Sequence, residues 1–474
     1  MSAHDAHSAA IDYLIGRINY ERASDPPYGE RELKLARMNR LLSLLGDPHE
    51  GMPIVHIAGT KGKGSTAAMV ASVLSAAGHR TGLFTSPHLE RLEERWVVDG
   101  RPCSPDEVVA MFDTLRPAVE QMDREAAGDP QGQPTYFELV TALALLHFRG
   151  RQVDWAVLEV GLGGRLDSTN VCTPRVAAIT SISYDHTRQL GSTLEQIASE
   201  KAGIIKPGVP TVVGQMEPAP LNVIARICRD RGAPLAQAGI DFKYEYLPPR
   251  HVERAPAHGR LSYVGRWGKR THQYDELTLA LLGDHQASNA AVAIAILSEL
   301  KVQGIAISEA ALRRGLAELN CPARIEVWRR CPTVVFDTAH NVASVQATLR
   351  TLKESFHAAC RRLVFATARD KDTEGMLAAL LPCFDEVYFT RYGSNPRAAA
   401  AEDLCATARR LAPSLGCSPE MTVCSDVAAA WQQVVRRTRA TDLVCCTGSF
   451  FLAAELRHEA QRNPLCEPVV RESA

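Results

Sequence analysis

Short runs of apolar residues alternate with amphipathic or alanine-rich stretches along most of this chain. Residues 54–57, 153–160 and 175–182 are too uniformly apolar for strands with one face in water, so we predict that they are buried strands. Residues 67–77 are rich in alanine and are followed by Gly78, a pattern that predicts a helix. Strands and helices in alternation are typical of a parallel sheet covered by helices.

The rest of the first 319 residues carries further signals of the same kind. Ser192 and Glu195 have the spacing of a capping box, which predicts that a helix begins there and carries Lys201. The stretch 248–274 is more polar and contains several prolines, and it predicts loops and antiparallel strands at the periphery. Further helices are predicted around 287–300 and 308–319.

Residues 320–324 are predicted to be a linker, and beyond them the alternation becomes regular. We predict strands at 333–337, 362–367, 386–391, 421–425 and 442–447. We predict helices at 344–355, 374–381, 401–411, 428–437 and 451–461. This alternation indicates a mostly parallel sheet with helices on both faces. The sequence therefore predicts an α/β protein of two domains, 1–319 and 320–474.

Composition narrows the class of protein. The chain has 474 residues, more than one hydrophobic core usually serves, and its formal net charge of −1 gives no general attraction to nucleic acid or to an anionic membrane. The first residues lack a basic and an apolar region, and no apolar run is long enough to cross a bilayer. The 13 cysteines form no C-x-x-C pair, so we expect reduced thiols in a cytoplasmic protein.

The loop between the first predicted strand and helix carries the clearest chemical signal. It contains Gly59, Gly62, Lys63, Gly64 and Ser65. Glycines let backbone N–H groups approach phosphate oxygens at a helix N-terminus, a lysine adds positive charge, and a hydroxyl can ligate Mg²⁺. The usual pattern has a glycine at the position of Ile57, so this loop is a variant. It predicts binding of a nucleoside triphosphate, and the alternative is a plain glycine turn.

Polar residues also follow other predicted strands of the first domain. Glu159 lies near the end of one strand, before a glycine turn, and Asp185 and His186 follow another. The carboxyl ends of parallel strands share one edge with the phosphate loop, so we expect Glu159 and His186 to converge on the same Mg–phosphate group. Mg²⁺ prefers oxygen ligands, so a histidine ligand needs special support or favours Mn²⁺. Each residue alone also fits a structural role beside a strand.

A third cluster follows the first strand of the second domain. Asp337, His340 and Asn341 lie there, and the predicted linker contributes Arg324. A basic residue, a carboxylate and an imidazole in this place are suited to contact ATP. The alternative is ordinary capping of the loop by Asp337 and Asn341.

Taken together, these motifs resemble the folylpolyglutamate synthase/dihydrofolate synthase family, a branch of the Mur ligase superfamily. The matching segments are 56–65, 85–89, 136–138, 159–170, 185–186, 200–207, 283–289, 322–324 and 337–341. The resemblance implies an ATP-dependent ligase of the α/β class. Its N-terminal domain would be a P-loop-type ATPase domain with a mostly parallel sheet, and its C-terminal domain a Rossmann-like glutamate ligase domain.

The resemblance also implies a role for individual residues. ATP would contact Gly59, Thr60, Lys61, Gly62, Lys63, Gly64, Ser65, Thr66, Asn289, Arg324, Asp337 and His340. Mg²⁺ would be ligated by Ser86, Glu159 and His186. The pterin-bearing substrate would be held by Tyr28, Gly29, Thr135, Tyr136, Phe137, Glu138, Leu166 and Asp167, with Phe137 stacked on its ring. Lys63, His186 and Lys201 are the implied catalytic residues.

Lys201 matches the lysine that the family carbamylates. Fifteen residues separate it from His186, enough for a turn and two helical turns back towards the metal edge. An ordinary ammonium group so close to Mg²⁺ would be repelled, whereas a carbamate is an anion that can ligate or orient the ion. The alternative is a surface lysine on a solvated helix face.

The implied reaction joins L-glutamate to dihydropteroate or to reduced folates. The substrate carboxylate attacks the γ-phosphate of ATP, and the glutamate amine then displaces phosphate from the acyl phosphate. Mg²⁺ is the implied cofactor, and we expect a monomer whose partners are small molecules, with no nucleic acid and no membrane. The alternatives are a monofunctional folylpolyglutamate synthase, another Mur-type amide ligase, and a nucleotide-binding paralogue that has lost activity.

The chain departs from the family pattern at three positions. Lys61 stands where many bacterial members have asparagine, and Thr338 and Val342 replace a common glycine and proline. The last two put the shape of the loop after Asp337 in question, but not the identity of its ligands.

Overall fold

The structure is a computed structural model that describes residues 3–21, 29, 35–268 and 270–463. The chain divides into two compact units. The first comprises Met1–Glu245, Leu261–Thr278 and Gln286–Leu319, and the second Tyr246–Arg260, Leu279–His285 and Asn320–Ala474. The segments 246–260 and 279–285, which precede the predicted linker, therefore group with the second unit.

The first unit is built on an eight-stranded sheet in the order β4-β3-β2-β5-β1-β6-β7-β8. Its strands are β1 (Ile54–Ala58), β2 (Thr81–Phe84), β3 (Trp96–Val98), β4 (Arg101–Pro102), β5 (Trp155–Glu159), β6 (Val176–Ile179), β7 (Thr211–Val213) and β8 (Leu235–Gln237). All neighbours from β2 to β8 are parallel, and β3 and β4 add an antiparallel edge. Every residue of β1, β5 and β6 is buried, as expected for continuous apolar runs. The three predicted strands are confirmed.

Helices pack against this sheet. They are α1 (Ala3–Ile15), α2 (Leu35–Leu44), α3 (Lys63–Ala76), α4 (Pro105–Glu125), α5 (Tyr136–Gly150), α6 (Thr187–Leu190), α7 (Leu194–Lys201), α8 (Pro218–Asp230), α9 (Asp284–Val302) and α10 (Glu309–Ala317). One apolar core joins α1, α2, α4 and α5, and a second joins α7 and α8. Helix α3 packs against α10, β2 and β5. The carboxyl ends of β1, β2, β5 and β6 therefore lie at one edge of a rigid sheet.

The capping box predicted for α7 is wrong by one residue. Thr193, not Ser192, is the N-cap, and its side-chain oxygen accepts a hydrogen bond from the backbone N–H of Gln196. The Gln196 side chain in turn accepts hydrogen bonds from the backbone N–H groups of Ser192 and Thr193. Glu195 is exposed in the first turn. Both registers satisfy the spacing rule, so the local sequence does not distinguish them.

Three strands that follow form a separate sheet in the order β11-β10-β9. They are β9 (Phe242–Leu247), β10 (Gly259–Trp267) and β11 (Arg270–Leu279). Buried and exposed residues alternate along most of β10, which agrees with the polar pattern of this region. None of the described helices combines the length and apolar character that a bilayer crossing requires.

The second unit contains a six-stranded sheet in the order β12-β13-β17-β14-β15-β16. Its strands are β12 (Glu326–Arg329), β13 (Thr333–Phe336), β14 (Arg361–Phe365), β15 (Glu386–Phe389), β16 (Glu420–Val423) and β17 (Leu443–Thr447). Its helices are α11 (Val342–Ser355), α12 (Thr373–Leu380), α13 (Ala401–Leu411), α14 (Val427–Arg437) and α15 (Phe450–Arg462).

The five predicted strands and five predicted helices of the second unit are confirmed within two residues at each end. The sheet is parallel from β13 to β16, and β12 adds an antiparallel edge. Strand β12 was not predicted because its four residues are all partly exposed and include two charges. The molecule is therefore α/β, with a parallel-dominated N-terminal sheet and a Rossmann-like C-terminal one.

Candidate nucleotide and substrate site

The glycine loop links the buried strand β1 to the N-terminus of α3. Gly62 is the N-cap of α3 and has a left-handed φ of 83°, and a Cβ atom at this position would lie 2.0 Å from Oδ1 of Asn289. Glycine is thus required both by the backbone conformation and by the close approach. Helix α3 begins at Lys63, four residues before the predicted start, because the loop turns directly into it. The first backbone N–H groups of α3 have no side-chain cap and are suited to an anion.

The segment after β6 fixes the shape of this loop. Backbone N–H of Thr60 donates to the carbonyl of Ser181 at 2.7 Å, and backbone N–H of Lys61 donates to Oγ of Ser181 at 3.1 Å. The Lys61 carbonyl accepts a hydrogen bond from Oγ1 of Thr180 at 2.6 Å. The Lys61 side chain forms an ion pair with Asp185. The phosphate loop and the segment 180–185 therefore form one hydrogen-bonded structure.

Helix α9 supports the same loop from another side. Asn289 lies against Gly62, and its side-chain amide donates to Oε1 of Gln286 at 3.1 Å. The hydroxyl of Thr66 lies 3.5 Å from the backbone carbonyl of Asn289. Ser65 and Thr66 are both buried at the start of α3. The structure thus brings the predicted residue Asn289 together with the loop across more than 200 positions of sequence.

Glu159 lies at the end of β5 and reaches the phosphate loop. Its side chain is 5% exposed, and its Oε2 accepts a hydrogen bond from the backbone N–H of Ser86 at 3.0 Å. A Cβ atom on Gly64 would lie 3.2 Å from the same oxygen. The carboxylate therefore faces the start of α3 and the turn after β2, as the shared edge of the sheet predicts.

His186 occupies the turn after β6. It is the N-cap of the short helix α6, with a left-handed φ of 49°, and its side chain is 43% exposed. Nε2 of His186 lies 3.8 Å from Oδ1 of Asp185. Asp185 therefore faces both Lys61 of the phosphate loop and the His186 imidazole. The sequence pattern indicates no separate role for Asp185, and its ion pair with Lys61 is evident only from the fold.

Lys201 is the last residue of α7 and is 4% exposed. Its Nζ donates a hydrogen bond to the backbone carbonyl of Gly59 at 2.9 Å, so the side chain ends at the phosphate loop. Burial lowers the pKa of Lys201 to about 7, and the positive charge of Lys63 acts in the same direction. A solvated surface lysine is excluded by this position.

An aromatic residue, Phe137, lies close to the turn that follows Glu159. Phe137 is the second residue of α5, and its ring centroid is 6.0 Å from that of Phe84 at the end of β2. A Cβ atom on Gly161 would lie 2.4 Å from Cζ of Phe137. The ring therefore lies over the glycine turn that begins two residues after Glu159. The side chain of Phe137 is partly exposed.

Thr135 and Glu138 form a buried structural network at the start of α5. The Glu138 carboxylate accepts hydrogen bonds from both the backbone N–H and the hydroxyl of Thr135, at 2.7 and 2.9 Å. It also forms an ion pair with Nε of Arg37 at 2.8 Å. Among the predicted pocket residues, these two therefore position the helix that carries Phe137.

Asp167 organises the glycine turn after Glu159. Its Oδ2 accepts hydrogen bonds from the backbone N–H groups of Gly161 and Leu162, both at 3.0 Å. Its Oδ1 accepts from the backbone N–H of Thr169 at 3.0 Å and from the Thr169 hydroxyl. Burial raises the pKa of Asp167 despite these bonds. Its neighbour Leu166 is buried as well.

The network continues into the core of the first unit. Nε2 of His56 lies 2.8 Å from Oγ1 of Thr169, and burial lowers the pKa of His56 to about 3, so the imidazole is neutral. Because the Thr169 hydroxyl donates to Asp167, it accepts from Nε2–H of His56. The chain His56–Thr169–Asp167 thus ties β1 to the glycine turn.

Arg95 is a functional candidate that sequence reasoning missed. It is 1% exposed, its two terminal nitrogens pair with the Glu21 carboxylate at 2.8 and 2.7 Å, and its Nε donates to Nδ1 of His88 at 2.9 Å. Its guanidinium carbon lies 5.5 Å from the centroid of the Tyr136 ring. Arg95 thus joins the three segments that carry Glu21, His88 and Tyr136. Nothing in the local sequence distinguishes it from an ordinary surface arginine.

The predicted residues of the second unit form a cluster of their own. The Arg324 guanidinium lies 4.9 Å from the centroid of the Phe450 ring and donates a hydrogen bond to the hydroxyl of Thr338. Nδ1 of His340 lies 2.9 Å from the backbone carbonyl of Thr338, and the His340 ring centroid is 5.8 Å from that of Phe450. Thr338, one of the departures from the family pattern, therefore holds Arg324.

Asp337 follows β13 with its carboxylate buried at 5% exposure. Oδ1 accepts hydrogen bonds from the backbone N–H of Ala339 at 3.0 Å and from the Thr348 hydroxyl at 2.8 Å. Oδ2 accepts from the backbone N–H of Ile325 at 3.2 Å. Asn341 caps α11. Asp337 thus holds the backbone next to Arg324 and the backbone next to His340 in one hydrogen-bonded arrangement.

The remaining predicted pocket residues lie before α2. Tyr28 lies outside the described residues, and Gly29 is described and is partly exposed.

Two family models match the chain. The model described as Mur ligase middle domain matches residues 57–297, and the model described as Mur ligase, glutamate ligase domain, matches residues 323–450. The dihydrofolate synthase/folylpolyglutamate synthase of Bacillus subtilis (strain 168) is 35% identical over 430 residues, which cover 89% of this chain and 94% of the relative.

Solved structures agree with these matches. The Mycobacterium tuberculosis folylpolyglutamate synthase complexed with ADP aligns with a TM-score of 0.83 and 32% identity, covering 96% of this chain and 98% of that one. The E. coli protein FolC in complex with DHPP and ADP aligns with a TM-score of 0.78 and 31% identity, covering 98% of this chain and all of the other. The family resemblance predicted from the motifs is confirmed.

Proposed function

Because the chain belongs to the folylpolyglutamate synthase/dihydrofolate synthase family of Mur ligases, we propose that it uses ATP to join L-glutamate to pteroyl substrates. One product would be dihydrofolate, formed from dihydropteroate, and the other an extended glutamate tail on reduced folates. Residues 1–319 would bind ATP and the pteroyl group, and residues 320–474 would serve as the glutamate ligase domain. We further propose a monomer.

One observation carries this proposal: the aromatic ring of Phe137 lies over Gly161, two residues after Glu159 at the phosphate loop. A flat heteroaromatic substrate stacked on Phe137 would therefore bind next to the triphosphate. The substrate carboxylate would attack the γ-phosphorus, and the bond from that phosphorus to the bridging oxygen of ADP would break. The glutamate amine would then attack the acyl phosphate, releasing phosphate and one proton as the amide forms.

The reaction brings two anions into contact, the γ-phosphate of ATP and the carboxylate of the substrate, and the site offers positive charge to both. Lys63 and the first N–H groups of α3, which no side chain caps, would neutralise the γ-phosphate as the carboxylate approaches. The Glu159 carboxylate lies beside Gly64 and would repel phosphate unless a cation lay between them. We therefore propose that Glu159, Ser86 and His186 hold Mg²⁺, which supplies charge neutralisation when bound.

An activity assay tests the proposed function. Purified protein is given ATP, glutamate and either dihydropteroate or tetrahydrofolate, and glutamate-dependent ADP release is measured. We expect release with both substrates. Release with tetrahydrofolate alone would indicate a monofunctional folylpolyglutamate synthase. Muramyl substrates are tested in parallel, and release with them instead would indicate another Mur-type ligase. Release with none of these substrates would indicate an inactive paralogue.

Replacing Glu159 by glutamine should weaken the response to metal. The substitution removes the negative charge but keeps the shape, so the Mg²⁺ concentration at half-maximal activity should rise roughly ten-fold or more. Binding of Mn²⁺ to the nucleotide-free protein, followed by electron paramagnetic resonance, should weaken in the same way. Glu195→Gln, an exposed residue of α7, is the matched control. Equal half-saturation in the Glu159 variant and wild type would contradict the metal site.

Replacing Arg95 by methionine should raise KM for the pteroyl substrate more than KM for ATP. The methionine side chain keeps the apolar part of Arg95 but lacks the guanidinium group, which contacts Glu21, His88 and the Tyr136 ring. A small displacement of these segments should cost roughly ten-fold or more in kcat/KM. Arg95→Lys keeps the positive charge but lacks the planar guanidinium group that pairs with both carboxylate oxygens. Its kcat/KM should lie between those of wild type and Arg95→Met. Arg91→Met, an exposed arginine nearby, is the control, and equal rises in both KM values would contradict a pocket-positioning role.

A further inference from the structure

A second group of potential metal ligands lies in the second unit, formed by His251, Glu253 and His357. One ligand atom from each residue lies within 4.8 Å of the others. We name these three residues the His251 cluster. None of them belongs to the motifs that resemble the family, and none is part of the nucleotide and substrate site described above.

The backbone brings the two segments of this cluster together. The backbone N–H of Val252 donates to the carbonyl of Ser355 at 3.0 Å, and Nε of Arg330 donates to the carbonyl of Val252 at 2.9 Å. His251 has a left-handed φ of 58°, which residues with a Cβ rarely adopt. The backbone that carries His251 is therefore held close to the segment that carries His357.

Glu253 contacts both histidine residues. Its Oε1 is 3.1 Å from Nδ1 of His251, and its Oε2 accepts a hydrogen bond from the backbone N–H of His357 at 3.2 Å. The imidazole rings of His251 and His357 have centroids 4.5 Å apart and an angle of 23° between their planes. Two imidazoles and a carboxylate thus converge from segments about 100 residues apart.

The surroundings leave this group open to a cation. The side chain of His251 is 44% exposed, and that of Glu253 is 14% exposed. Arg254 pairs with this carboxylate, with Nε 3.6 Å from Oε1 of Glu253, and the Arg254 side chain is 75% exposed. Exposed ion pairs are weak, so a metal ion could replace Arg254 as the partner of the Glu253 carboxylate.

We propose that the His251 cluster binds a divalent transition-metal ion of the Zn²⁺ type. Two imidazole nitrogens and one carboxylate oxygen are a donor set that Zn²⁺ accepts, with water completing the coordination. Bonds of about 2.0–2.1 Å require the donor atoms to lie within roughly 3.5 Å of one another, so the exposed imidazoles would rotate towards a common point. Mg²⁺ prefers six oxygen ligands and would not compete.

Binding would link the segment 251–253 to the residues that follow α11. An ion that binds only the folded state raises its stability by mass action. The inferred role is therefore structural, and it does not depend on the ligase function proposed above.

Isothermal titration of the full-length protein with Zn²⁺, in excess Mg²⁺, tests the proposal. We expect one tight site per chain, at least ten-fold weaker binding in His357→Ala, and loss of this site in the double variant His251→Ala/His357→Ala. His258→Ala, an exposed histidine of the same region, is the control and should bind as wild type does. Glu159→Gln should also bind as wild type does, which separates this site from the catalytic metal.

Thermal unfolding is a second measurement. It distinguishes loss of the metal-binding side chains from a general loss of stability in the double variant. In EDTA the double variant should unfold at the wild-type temperature, and added Zn²⁺ should raise that temperature in wild type and in His258→Ala but not in the double variant. Equal Zn²⁺ affinity in wild type and the double variant, or no Zn²⁺ binding by wild type, would overturn the proposal.

Discussion

Replacing Lys201 by alanine should reduce turnover by a factor of 10² or more while leaving the protein folded. The side chain is buried and its Nζ ends at the carbonyl of Gly59, so it lies at the phosphate loop itself. We propose that the active form is a carbamate, in which the neutral amine has bonded to the carbon of CO₂ and released a proton. The carbamate anion would then orient or ligate the metal. Loss of one such electrostatic interaction reduces the rate by a factor of about 10²–10³.

The pKa of Lys201 makes this modification chemically reasonable. A lysine with its ordinary pKa near 10.4 is almost entirely protonated at neutral pH, and an ammonium group cannot attack CO₂. Burial and the charge of Lys63 lower the pKa of Lys201 to about 7, so about half of the amine is neutral at that pH. Protonation increases as the pH falls below 7, so activation by bicarbonate should weaken in that direction.

Three measurements decide between a carbamate and a plain cation. Lys201→Ala should be partly rescued by short carboxylates, which fill the vacated space with an anion. Lys201→Arg keeps a positive charge but cannot form the carbamate, and should be as inactive as the alanine variant. With ¹³C-labelled bicarbonate, wild type should show a carbamate carbon signal that both variants lack. An active arginine variant, or full activity with alanine, would rule the carbamate out.

The elements of this fold were predictable from sequence wherever burial alone decides them. Strands β1, β5 and β6 are buried along their whole length, so their apolar runs are unambiguous. Strand β12 lies at a sheet edge with mixed polarity, and only its antiparallel pairing with β13 makes it a strand. The register of the α7 cap was missed for a related reason, since two adjacent hydroxyl residues satisfy the same local rule.

The site was predictable as far as sheet topology dictates it. Residues at the carboxyl ends of parallel strands must share an edge, and Glu159 does lie beside the phosphate loop. The partners of side chains that meet across the fold were not predictable. The Glu138 carboxylate accepts from Thr135, three residues away in a capping box, and Asp167 accepts from the glycine turn just before it, whereas Arg95 pairs with Glu21, 74 positions away. The partners of Arg95 are set by tertiary packing, which no local pattern records.

Replacing Lys63 by alanine should have the other large effect, a loss of 10²–10³ in kcat. Lys63 begins α3, directly after the left-handed Gly62, where the γ-phosphate would lie. Its ammonium group would offset the repulsion between the phosphate and the attacking carboxylate, and removal of one such interaction costs roughly 3–4 kcal/mol. The fold should persist, because Lys63 is only partly buried and the loop is held by Ser181 and Asn289.

The two lysines should not act independently. The charge of Lys63 helps to lower the pKa of Lys201, so its removal should raise that pKa and decrease the fraction of carbamate. The double variant Lys63→Ala/Lys201→Ala should therefore lose less activity than the two single losses multiplied together. Measured kcat values for the four proteins give this coupling, and Lys243→Ala, an exposed lysine of β9, is the control. A Lys63→Ala variant that retains more than about a tenth of wild-type activity would contradict the phosphate-loop assignment, because one lost charge interaction of this kind costs more than that.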